Sequence, residues 1–178
     1  MISRGWPHRV LLCAALMAPF ALLVLLTLGG MRFNRSASFP VGIYRAVTKE
    51  PGRGDLVFFM PPRRPVFDLA KERAYIGRGF DPRESELMLK RIVAVADDEI
   101  SIDATGVTVE RLPVPDSVPG TSDPARRAMP VCRLEHYRLR RGEVLVMSDH
   151  SNLGFDARYF GPIPSICIRS VVVPVWTW

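Results

Sequence analysis

The apolar positions of this chain form one long block followed by many short runs. From Val10 to Gly30, 21 residues, no side chain is charged, and Leu, Ala, Val, Met and Phe dominate. A helix of that length crosses a hydrocarbon core of about 30 Å, and Pro19 would kink it rather than end it. Past the block the runs have strand length. Gly42 to Val47 and Asp55 to Met60 flank the turn Pro51-Gly52-Arg53-Gly54. Phe67, Ala70, Lys71, Ala74 and Tyr75 recur at helical spacing and predict a short helix over 66–77. Leu87 to Val95 reads as a strand, and Glu99 to Ile102 with Val107 to Glu110 as a hairpin around Gly106. Glu143 to Met147 and Ile166 to Val175 read as later strands. Residues 113–130, rich in Pro, Ser, Asp and Arg, have no period and predict a long surface loop or lid. The pattern predicts a mainly β, antiparallel domain with a short helix, preceded by one N-terminal transmembrane helix.

Three spans follow: an N-terminus over 1–9, an anchor over 10–31 and one domain over 32–178, whose roughly 147 residues suffice for a sizeable core. Arg4 and Arg9 precede the apolar block without an acid, so the N-terminus is expected in the cytoplasm and the domain outside. A cleaved signal peptide fits less well, because its apolar core spans about 7–15 residues and ends at a small-residue site. The net charge is +6 and the pI about 9.7, with arginine far outnumbering lysine. For an exported domain that balance suits anionic lipid headgroups rather than nucleic acid. Cys13 lies in the apolar block; Cys132 and Cys167 lie where an oxidising compartment would permit a disulfide, and their spacing leaves the pairing open. No cysteine–histidine spacing resembles a metal site and no glycine-rich phosphate loop occurs, so neither metal nor cofactor is expected.

Two residues carry candidate chemistry. Ser38 follows the apolar block by a few residues, and Lys90 interrupts the run Leu87-Met88-Leu89-Lys90-Arg91-Ile92-Val93. A serine hydroxyl needs a base to become a nucleophile, and a lysine can be that base only when its ammonium form is destabilised. On a strand Met88, Lys90, Ile92 and Ala94 share one face. Burial there would lower the lysine pKa from its reference of about 10.4. On spacing alone, a solvated Lys-Arg pair with a snorkelling stem explains the same residues.

Four segments in order change that balance. Asn34-Arg35-Ser36-Ala37-Ser38-Phe39-Pro40-Val41-Gly42-Ile43-Tyr44 resembles the serine box of the signal peptidase I superfamily (peptidase family S26), in particular the conjugative-transfer, TraF-type signal peptidases. Leu89-Lys90-Arg91-Ile92-Val93-Ala94-Val95-Ala96-Asp97-Asp98 is similar to the lysine box, with Asp97 in place of a glycine. Ser148-Asp149-His150 corresponds to the family's Gly-Asp-Asn or Ser-Asp-Asn step, and Phe155-Asp156-Ala157-Arg158-Tyr159-Phe160-Gly161-Pro162-Ile163 is similar to the terminal box.

The resemblance implies that Ser38 is the acylating nucleophile and Lys90 its general base. It implies an oxyanion site made of the Ser38 N–H and the Ser36 hydroxyl, with Asp156 and Arg158 as a supporting ion pair. Gly154 stands where the family carries a serine that contacts the lysine amine, and Ala157 replaces the serine between Asp and Arg. Ser151 or Asn152 could supply the lost partner, while His150 lacks the third residue a triad would need. The implied enzyme is a serine endopeptidase of the bacterial inner membrane, with a cytoplasmic N-terminus and a periplasmic catalytic domain. It cuts an exported precursor after small residues. TraF-type enzymes are associated with pilin maturation in type IV secretion, including head-to-tail cyclisation, in which an amine replaces water as the acyl acceptor. Two other readings stand beside it: an inactive scaffold of the conjugation apparatus, suggested by Gly154 and Ala157, and a LexA-like self-cleaving serine–lysine protein, which the apolar block argues against.

Overall fold

The computed structural model describes residues 6–36, 38–77, 79, 85–148 and 154–178, and within the first helix the side chains of 11–21 and 24. Helix α1 runs Trp6–Leu28 with Pro19 inside it, and Leu11, Leu12, Leu16, Met17 and Phe20 are exposed. Among the described residues no helix is long and apolar enough to cross a membrane. The transmembrane helix expected over 10–31 is therefore not part of the observed fold as such, and the helix itself stops at Leu28.

Two antiparallel sheets follow. β1 (Met31–Asn34), β2 (Gly42–Val47), β3 (Leu56–Phe59), β4 (Met88–Ala94), β9 (Glu143–Met147), β10 (Ile163–Pro164) and β11 (Ile168–Thr177) form the larger, in the order β1-β2-β11-β3-β4-β9-β10. β5 (Glu99–Asp103), β6 (Gly106–Val109), β7 (Leu112–Pro113) and β8 (Leu134–Arg138) form the smaller, in the order β7-β6-β5-β8. The mainly β expectation holds.

Alternation sorts the larger sheet's side chains into two cores. Val57, Phe59, Met88, Ile92, Ala94, Val146 and Val171 join the main cluster, which continues into Ile100, Ile102 and Val107 of the smaller sheet. Phe58, Leu89 and Val172 face the other way, onto Phe39 and Tyr44. Helix α2 (Pro65–Glu72) starts with proline in its first turn, as the fixed φ allows. It seats Phe67 and Ala70 in the main core. It ends before the expected Gly77 because Ala74 turns to φ 58°. Helix α3 (Ala157–Phe160) buries all four of its residues. The 113–130 segment lacks helix, as expected, but it is tied down. Gly120 N–H donates to the Tyr159 hydroxyl at 2.9 Å, and the Tyr75 hydroxyl donates to Asp123 Oδ2 at 2.6 Å.

Candidate active site

Asn34, the last residue of β1 and 3% exposed, organises the loop that carries Ser38. Its Nδ2 donates to the carbonyls of Ser36 at 2.9 Å, Phe39 at 3.1 Å and Pro40 at 3.1 Å, and its Oδ1 accepts the Ser36 N–H at 3.1 Å. The Tyr44 hydroxyl donates to the Pro40 carbonyl at 2.7 Å. Pro40 in turn confines Phe39 to extended backbone. Within this frame Ser36 and Ser38 meet: Ser36 Oγ donates to Ser38 Oγ at 2.9 Å, and the Ser38 N–H donates to Ser36 Oγ at 3.2 Å. The two groups expected to hold an oxyanion are therefore adjacent, and here they bond to each other. Ser38 itself is partly buried.

Lys90 is 1% exposed, in the middle of β4. A fully buried lysine is among the rarest burials in folded proteins. Val57 stands opposite it on β3, and its neighbours along its own face, Met88 and Ile92, belong to the main core. The solvated Lys-Arg pair is thereby corrected: the lysine does not reach water. Phe39 packs with Leu89, and its ring lies 6.0 Å from the Arg91 guanidinium carbon, so the serine loop is fastened to both residues that flank Lys90. Ser38 Oγ accepts from Ser36 Oγ in this structure.

Asp156 and Arg158 form the ion pair expected of them, and both are buried to within 1%. Arg158 Nε donates to Asp156 Oδ1 and Nη2 to Oδ2, each at 2.8 Å. Nη2 also donates to the Gly154 carbonyl at 3.1 Å, and Nη1 to the Asp116 carbonyl at 3.2 Å. Burial disfavours the guanidinium charge, but the Asp156 carboxylate outweighs it and holds Arg158 above the usual arginine value. Asp156 reaches further, accepting the Ser148 N–H at 3.0 Å and capping α3 through the Arg158 N–H at 3.1 Å. Ala157 is 0% exposed in the main core, so a serine there would bury its hydroxyl. Asp149, His150, Ser151 and Asn152 lie outside the described residues.

Asn34 and Tyr44 hold the Ser38 loop, a task that the motif contained without revealing. Cys132 and Cys167 are both free, and burial pushes the Cys132 thiol up. Among the described residues no cluster of His, Cys, Asp and Glu could hold a metal. A cleft of about 510 Å³ near the end of α1 is lined in part by Arg32, Lys49 and Arg169, and includes neither Ser38 nor Lys90.

The family model "Signal peptidase, peptidase S26" matches residues 5–177. The chain is 43% identical over 149 residues to the plasmid transfer protein TraF of Escherichia coli, covering 84% of each chain. It is 29% identical over 153 residues to the conjugal transfer protein TraF of Agrobacterium fabrum, covering 85% of each. A crystal structure of signal peptidase I from Enterococcus faecalis aligns with a TM-score of 0.39 at 17% identity, over 71% of this chain and 100% of that one, too slight a likeness to carry weight.

Proposed function

This chain belongs to the signal peptidase family, peptidase S26, and from that footing we propose that it is a membrane-anchored serine endopeptidase working through Ser38 and Lys90. The observation that carries the reading is the burial of Lys90, 1% exposed between Met88, Ile92 and Val57, beside a serine loop fastened to its neighbours by Phe39. Apolar burial penalises the ammonium form and favours the neutral amine that a general base requires.

The reaction asks the Ser38 hydroxyl to turn from Ser36 and donate to the Lys90 amine at about 3 Å. Ser38 Oγ then attacks the scissile carbonyl while its proton passes to Lys90 Nζ. The oxyanion is held by the Ser38 N–H and the freed Ser36 hydroxyl. The ammonium returns the proton to the departing amine, and water or a second amine resolves the acyl-enzyme.

The substrate is an exported precursor with small residues before the cut, in the setting of conjugation a pilin. Both TraF relatives are named for plasmid or conjugal transfer, which supports that choice. The proposed anchor is the uncharged block Val10–Gly30, most of which α1 carries with Leu11, Leu12, Leu16, Met17 and Phe20 exposed. Exposed Phe33, Trp176 and Trp178 cluster at the outer end of the sheet, with Phe33 and Trp178 centroids 6.1 Å apart, and suit a membrane–water boundary. The domain then lies on the periplasmic side of the bacterial inner membrane.

The test is co-expression of Ser38→Ala and Lys90→Ala with the pilin precursor. Each variant should insert, fold and leave the precursor at full length. Normal maturation by either removes that residue from the mechanism. A reporter active only outside the cytoplasm, fused after Trp178, should be active; activity solely from a cytoplasmic reporter would favour the LexA-like reading.

A further inference from the structure

Ser148 directly follows β9 and takes no part in the reaction as written above, yet its surroundings are unusual. It is 4% exposed, and its Oγ is buried without a hydrogen-bond partner among the described residues. Buried hydroxyls of this kind are few in native proteins and are kept where they have work to do. The ladder says what that work is. Arg91 pairs with Met147 and Ile92 with Val146, the last rungs before Ser148, so the same register carried one step past the end of β9 sets Ser148 opposite Lys90. Directly opposite residues share a face of the sheet, with Cβ atoms about 4.5–5.5 Å apart. Lys90 thus has Val57 on its β3 side and the hydroxyl of Ser148 on its β9 side.

The position of Ser148 is itself set from behind, because its N–H is held by Asp156, which Arg158 grips through two bonds. We propose that Ser148 is the positioning residue of Lys90, its Oγ accepting a hydrogen bond from the Lys90 ammonium formed when the Ser38 proton is transferred. It supplies the hydroxyl that Gly154 lacks, from the opposite strand. The supporting ion pair thereby acquires a purpose beyond stability: it aims Ser148. The charged groups on the elements around Lys90 are Arg91 on the other face of β4, the Asp156–Arg158 pair behind Ser148, and Glu143 at the far end of β9, bonded to Tyr137. β3 presents Val57.

This role rests on Lys90 being the base, and its test separates the two. The chain has only three lysines, Lys49, Lys71 and Lys90. A 13C-lysine NMR titration of the full chain in detergent therefore follows Lys90 directly, without substrate. A bond to the charged form raises the amine's pKa. Ser148→Ala should then move the Lys90 titration to lower pH by about one unit, the tenfold worth of a hydrogen bond to a charged group. The acid limb of kcat/KM on a quenched peptide with alanine before its scissile bond should shift the same way, with kcat falling about tenfold and KM little changed. Ser148→Thr, which keeps the hydroxyl, should restore both. Tm should hold or rise in Ser148→Ala, since an unpartnered buried hydroxyl is removed. An unmoved Lys90 titration, or a lower Tm with an unmoved limb, makes Ser148 structural and overturns the proposal. If Ser38→Ala or Lys90→Ala still cleaves, the dyad falls and this role with it; if both are dead and Ser148→Ala matches wild type, only this role falls.

Discussion

Replacing Asn34 by alanine should loosen the serine loop and cripple turnover together. One Nδ2 with two hydrogens serves three carbonyls, those of Ser36, Phe39 and Pro40, and Oδ1 holds the Ser36 N–H. At most three full-strength bonds are lost, each worth about 0.5–1.5 kcal/mol net. The Ser36 and Pro40 carbonyls sit at a partly exposed rim, where water takes over in the variant, whereas the bond to the Phe39 carbonyl is buried. A loss of about 2 kcal/mol is the working figure. For a domain of this size that lowers Tm by about 4–8 °C. The catalytic loss should be larger in proportion, because a displacement of about 1 Å at the nucleophile costs roughly a hundredfold in rate. Thermal melts and single-turnover cleavage of the precursor measure the two effects side by side. A variant that melts within about 1 °C of wild type and cleaves at its rate would refute the clamp. Tyr44→Phe, which removes only the 2.7 Å bond to Pro40, should show the same signature at about half the size.

Gly42→Ala should be severely destabilising. The added Cβ would collide with the Trp176 carbonyl and lie 2.7 Å from Thr177 Cα, backbone atoms that cannot step aside without parting β11 from β2. A chevron or melt showing less than about 1 kcal/mol of loss would argue against that fit. Asp156→Asn leaves Arg158 buried without its carboxylate and should cost about 3–5 kcal/mol; a melt close to wild type would contradict it. Asp123 gives a pH dependence. Desolvation would raise its carboxyl, but the Tyr75 hydroxyl and the Arg127 N–H and guanidinium bring it down to about 2. Being depressed on folding, it stabilises above the unfolded value and ceases to do so as pH falls from about 4 to about 2. Asp123→Asn should flatten the fall in Tm over that window, and an unchanged slope would refute the assignment.

Much of the fold was legible because its strands carry their own periodicity. Gly42–Val47 and Glu143–Met147 have the expected bounds, and the face shared by Met88, Lys90 and Ile92 is the one the sheet uses. What stayed hidden depends on partners distant in the chain. β1 blends into the apolar block and becomes a strand only by pairing with β2. Leu134–Arg138, with charged residues at two of five positions and His136 between them, is recognisable only beside β5. β10 is two residues long and exists only as a partner of β9. The same division holds at the site. Ser36 and Ser38 are neighbours in sequence and meet in space. The reach of Asn34 across its loop follows from how that loop folds, and the pairing of β4 with β9 joins segments more than fifty residues apart.

β11 lies between β2 and β3 in the larger sheet, although every other strand of both sheets precedes it in the chain. Synthesis order and assembly order are therefore opposed: β1 and β2, with the serine loop between them, emerge early and wait for a strand that emerges late. Until Val171–Thr177 reach β2 and Ile168–Val172 reach β3, the two halves of the sheet have unpaired edges, and Ser38 and Lys90 belong to separate fragments. Such non-local closure is slow to form and exposes edges to mispairing meanwhile. It also makes activity conditional on completeness. A chain arrested before β11 carries Ser38, Lys90 and the ion pair in its sequence, yet lacks the strand that bridges β2 and β3, so under the proposed mechanism an interrupted translation product should not cleave.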